Sequence, residues 1–128
     1  MWTALRAACL YFLAVFAAGI LLGTVRTLWL EPALGALHSV LAELPFMLLL
    51  SWMACGMVMR HVAVAPETRP RIAMGGVALL LLLAAEAVLS VALGGLTLAR
   101  HAALYTTAPV LAGLAGQIAF ALFPLLRR

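Results

Sequence analysis

Glu86 stands alone between LLLLLAA and AVLSVAL. A carboxylate so placed has no interface within reach of its side chain, and a charged residue at the centre of a membrane helix costs about 2.5–3.5 kcal/mol to insert. It needs a partner or a proton. Arg26 closes the first apolar run, Glu43 opens the second, and Gln117 lies at about the depth of Glu86 in the last. With the helical period of 3.6 residues, Gly75, Leu79, Glu86, Ser90 and Thr97 share one face of the third run, and Pro109, Gly113 and Gln117 share one face of the fourth. In the first run Phe12, Gly19, Gly23 and Arg26 fall on one side, and Gly19 to Gly23 has the G-x-x-x-G spacing that lets helices approach, here more readily within one chain than between two.

Counted at 1.5 Å per residue along each run, Arg26 lies roughly 28 Å from the inner edge, Glu43 roughly 24 Å and Glu86 roughly 21 Å. All three fall in the outer half, where one guanidinium can bridge two carboxylates from different helices. The sequence therefore predicts an intramembrane cluster of Arg26, Glu43 and Glu86, with Ser90 and Gln117 beside it. A competing reading leaves Arg26 and Glu43 solvated at headgroup level, Glu43 being favoured there by the helix macrodipole. The cluster suits two roles. Glu86 can be a proton- or cation-binding carboxylate with Arg26 as gate or anion contact, or the same residues can lock the bundle, or hold a larger partner, without chemistry.

Other chemistries find less support. Met53-x-Cys55-x-Met57-x-Met59 with His61 offers soft ligands of the kind that suit Cu(I), but a period of two scatters them around a helix, so packing is the expected use. His38 and His101 fall on one side of the membrane and His61 on the other, which leaves no pair to ligate a haem at mid-depth. There is no G-x-S-x-G, H-E-x-x-H, C-x-x-C or phosphate-binding loop. Neither enzymatic activity nor a cofactor or metal is expected. Cys9 and Cys55 fall within apolar runs, and a structural disulfide is not expected.

The elements that must position these residues are membrane spans. The 128 residues are 67% hydrophobic and 9% charged, with a mean hydropathy of +1.20, far from the composition of a soluble domain. About 20 apolar residues cross a bilayer core, and four segments qualify: Ala7 to Val25, Val40 to Met59, Ile72 to about Leu96, and Ala103 to Leu126. The Arg60 to Arg71 hairpin, broken by Pro66 and Pro70, is the one polar linker, so the whole of 1–128 is a single domain. Between the first two runs, LEPALGALHSVLAEL is too apolar for a solvated loop. It is expected to lie in the interface, with Pro32 opening a short helix and Pro45 bending the second span. Arg6 followed by an apolar run and Val15-Phe16-Ala17 imitates a signal peptide, but the run continues to Val25, so retention as a membrane helix is expected.

All eight basic residues are arginine. Scattered between apolar spans, they form no stripe for nucleic acid, and they serve instead to set topology. With both termini inside, Arg6, Arg60, Arg69, Arg71, Arg127 and Arg128 lie on the inner side and Arg26 and Arg100 on the outer, a positive-inside bias that argues against dual insertion. Trp2 and Trp29 then sit as anchors at opposite interfaces.

Gly23-x-x-Arg26, Glu31-Pro32, Glu43-Leu44-Pro45 and the lone Glu86 together resemble a group of small four-helix bacterial membrane proteins with no assigned function. The resemblance covers most of the chain and implies an inner-membrane location. Small multidrug exporters carry their signature carboxylate in the first span, where this chain has none, and the Asn and Phe-rich pore motifs of fluoride channels are missing. The expected protein is an all-α bundle of four antiparallel transmembrane helices with cytoplasmic termini. Its expected partners are the bilayer, a proton or small ion, and further copies or a larger membrane complex.

Overall fold

The computed structural model describes every residue except Met1, Ala63, Ala65, Gly94, Arg127 and Arg128, so the two terminal arginines of the topology argument lie outside the described residues. What is described is helical, with no strand. The elements are α1 (Trp2–Val25), a π-helical segment (Arg26–Leu30), α2 (Glu31–Leu34), α3 (Ala36–His61), α4 (Thr68–Ala92), α5 (Leu98–Ala103), a 3-10 turn (Leu104–Thr106) and α6 (Ala108–Leu126). Four helical stretches are long and apolar enough to cross a membrane: Trp2–Leu34, Ala36–His61, Thr68–Ala92 and Ala108–Leu126.

The first connection differs from expectation. Pro32 does fall in the first turn of α2, but α2 is not a separate helix, because the rod runs unbroken from Trp2 to Leu34 through the π segment. Proline has no N–H, and in an α-helix its ring collides with the carbonyl four residues earlier. Widening the preceding turn relieves that collision, and Glu31 N–H accordingly bonds back to the Arg26 carbonyl, five residues away. The rod stops at Gly35, whose φ of 83° and ψ of 168° belong to a region essentially reserved for glycine. One residue later α3 begins, and it continues through Pro45.

The third and fourth spans are shorter at their shared end than the apolar runs suggested. α4 ends at Ala92 and α6 begins at Ala108. Between them Thr97 caps α5, its Oγ1 accepting from Arg100 N–H at 3.2 Å.

The four long helices pack in the cyclic order α1, α3, α6, α4, so that α1 faces α6, and α3 faces α4, across the diagonals. Large apolar side chains point outward, among them Leu13, Leu21, Phe46, Leu80 and Leu93, as a lipid-facing surface requires. In lipid, apolar area alone does not drive helices together, so close approach depends on small residues. A very close approach is at Gly75 of α4, where an added Cβ would run into the Ala121 carbonyl oxygen of α6. By contrast the Gly19–Gly23 pair of α1 touches no helix backbone; its nearest neighbours are Met47 Cε at 3.7 Å and Arg26 Nη2 at 3.8 Å.

The buried core occupies one half of the bundle. Ala4, Ala7, Ala8 and Tyr11 of α1 meet Cys55 of α3, Met74 and Ala78 of α4 and Phe120 of α6. Two prolines explain its polar contacts. Pro124 cannot donate to the Phe120 carbonyl four residues earlier, and Tyr11 Oη does so instead at 2.6 Å, its ring stacked on Phe120. The Pro124 carbonyl, left open by the end of α6, accepts from Arg71 Nη1 at 3.2 Å. Arg71 also donates to the Val64 carbonyl and to Met59 Sδ, both at 3.3 Å. It is only 5% exposed, so this arginine, expected on the inner side as a topology charge, is also a buried clamp on the end of α6.

Candidate functional site

Beyond Tyr11 and Phe120 the bundle opens into a cavity of about 600 Å³. Its floor is apolar apart from Ser51, being formed by Val15, Leu82 and Phe120. Glu86 and Gln117 stand in its wall, and Arg26 and Glu43 sit toward Thr27 and Leu28 at its other end. Ile20, Thr24, Thr27, Leu28 and Leu89 of this lining are exposed, so the cavity is open rather than sealed. Gly19, Gly23, Gly113 and Gly116 also line it, and the Gly19–Gly23 pair, expected as a helix contact, borders this space instead.

Arg26 begins the π segment. Its Nε lies 3.3 Å from Glu43 Oε2 and 3.9 Å from Glu31 Oε1, yet that buried atom has no hydrogen-bond partner. The distances make an ion pair but the direction is wrong for a bond, so the attraction is coulombic. Side-chain exposures of 28% for Arg26 and 12% for Glu43 put the pair at the edge of solvent, where such contacts are weak.

Glu86 is held separately. Gln117 Nε2 of α6 donates to Glu86 Oε1 of α4 at 2.5 Å, and Gln117 Oε1 is buried without a partner. Reversing the amide would set oxygen against oxygen, so the hydrogen-bond pattern favours the orientation given. The expected triad of one arginine and two carboxylates is thus divided: among the described residues Arg26 pairs with Glu43 and Glu31, and Glu86 pairs with Gln117. All four side chains of the predicted set Arg26, Glu43, Glu86 and Gln117 still face one space. The fifth does not. Ser90 lies outside the lining, its Oγ 2.7 Å from His101 Nδ1.

His101 was missed as a site neighbour. It is 9% exposed and packs edge-on against Tyr105, brought back over the end of α4 by α5. The Thr97 cap three residues before Arg100 was the available signal. Cys55 and Met59, set aside as copper ligands, touch one another at 3.3 Å within the core, where Arg71 also donates to Met59. Among the described residues no three His, Cys, Asp or Glu side chains gather as metal ligands.

Compared with protein-family models, curated proteins and solved structures, the chain matches none.

Proposed function

We propose that the chain is a multi-pass protein of the bacterial inner membrane that binds a small solute or ion in its central cavity, in a transport or carrier role without enzymatic activity. In this reading the four spans are antiparallel, both termini are cytoplasmic and the cavity opens outward. Glu86 is the binding carboxylate, positioned by Gln117, and the Arg26–Glu43 pair guards the mouth. One observation carries the reading: an open cavity of about 600 Å³ that reaches Glu86. A purely structural lock calls for the opposite, a dry and fully paired cluster. The lock reading draws on the two polar contacts themselves, which tie the π segment to α3 and α4 to α6 and would suit an accessory subunit of a larger complex.

Solvent access separates the two. Gly113 lines the cavity and has nothing within 4 Å of an added Cβ, so a cysteine fits there. With the exposed Cys9 replaced by serine, Gly113→Cys should react in intact cells with a membrane-impermeant thiol reagent added outside. A cysteine that stays unmodified from either side of the membrane would leave only the lock.

A further inference from the structure

The charges and acceptors of the cavity do not balance. Its one lining cation, Arg26, already faces two carboxylates, Glu43 at 3.3 Å and Glu31 at 3.9 Å. Glu86 has no cation of the described residues within ion-pair distance. The imbalance extends to hydrogen bonds. Gln117 spends an N–H on Glu86 and leaves its own oxygen buried and without a donor. A carboxylate and an amide oxygen thus stand together in the wall, the first supplied by Gln117 with one N–H and the second by no donor among the described residues.

We infer that the cavity takes a small amphipathic amine, bound as its ammonium ion against Glu86 and the Gln117 oxygen with its apolar part on Val15, Leu82 and Phe120. This rests on the solute-binding reading above and names the class of solute. An ammonium group has three donors and no acceptor, matching a site of acceptors. The apolar floor and the volume suit an organic body of moderate size, where a bare inorganic cation would lack the ligands to replace its water. A small anion would meet an arginine already outnumbered by carboxylates. Phe120 and Phe16 line the same space and add to the apolar surface available to that body.

Three probes of one shape and different charge test it: 4-phenylbutylammonium, 4-phenylbutanol and 4-phenylbutyrate, titrated at neutral pH by equilibrium dialysis against the full chain in detergent. The ammonium is expected to bind at least about tenfold more tightly than the alcohol, a difference of about 1.4 kcal/mol, with the carboxylate weakest. The preference should vanish in Glu86→Gln and survive in Glu67→Gln, which removes an exposed acid outside the cavity. An alcohol that binds as well as the ammonium, as it would if a proton already filled the gap between Glu86 and Gln117, overturns the inference. So does tighter binding of the carboxylate, or binding of none of the three. The comparison on the unaltered chain decides the matter even if Glu86→Gln does not fold. Labelling of Gly113→Cys keeps the two claims apart: a labelled cavity without ammonium preference removes the amine alone, and an unlabelled one removes the solute-binding reading with it.

Discussion

Arg26 can reach only what its helix turn lets it reach. Depth counting brought Arg26, Glu43 and Glu86 to neighbouring levels, and the structure sets them around one cavity, but the guanidinium is spent on Glu43 and Glu31. A double-mutant cycle measures the division. Arg26→Leu should lower stability in detergent, and adding Glu43→Gln should recover part of the loss, because a carboxylate stripped of its cation is worse than none. Polar pairs between membrane helices are worth about 0.6–2 kcal/mol, and the partial exposure of this pair argues for the lower part of that range. Arg26→Leu combined with Glu86→Gln should be additive within about 0.5 kcal/mol; coupling as large as that with Glu43 would restore the single cluster. The equal depth of Glu86 and Gln117 was legible in sequence, but their contact was not, because depth along separate helices does not say which faces meet. Nor were the contacts of Tyr11 and Arg71. Their partners are the backbone carbonyls of Phe120 and Pro124, and a carbonyl has no letter of its own. Pro124, four residues after Phe120, was the available clue.

At the scale of elements, hydrophobic runs revealed four spans, and their ends were the part that shifted. Runs of apolar letters do not distinguish a helix that continues from one that ends and restarts, so the rod to Leu34 was hidden until a residue with glycine-only dihedrals stopped it at Gly35. Small residues carried a similar ambiguity, since Gly19–Gly23 and Gly75–Gly76 are equally plausible contact points on paper. Only Gly75 meets a neighbouring backbone, and Gly76, next along the same helix, has open space where its Cβ would go. This makes an internal control. Gly75→Ala must push α4 and α6 apart against the Ala121 carbonyl and should cost about 1–3 kcal/mol, the usual range for overpacking. Gly76→Ala should be neutral or stabilising by up to about 1 kcal/mol, since alanine is the better helix former. Unfolding midpoints of the two variants in one detergent check the contrast, and equal effects would mean that the α4–α6 approach is looser than described.

For the whole molecule, the proposed orientation decides to which compartment the cavity belongs. It rests on the arginine bias, and the buried Arg71 weakens that count by one, because a side chain clamped on Pro124 serves packing whether or not it also retains a loop. Arg6, Arg60, Arg69, Arg127 and Arg128 still outnumber Arg26 and Arg100, and Arg26 is itself engaged by Glu31 and Glu43 and so contributes little as a free charge. A phosphatase fused after Arg128 should therefore be inactive, and one inserted between Leu96 and Arg100 should be active, as expected for a cytoplasmic terminus and an external loop. The same orientation sets the side from which Gly113→Cys is labelled, because Gly113 lies in the half of the bundle bounded by Arg26 and Glu43. Reversed fusions with labelling from the cytoplasm would turn the cavity inward while leaving its geometry and its amine class untouched. Fusions that read as proposed, with labelling only from the cytoplasm, would contradict the described fold itself, since no rigid bundle with its core at Tyr11, Met74 and Phe120 opens at that end.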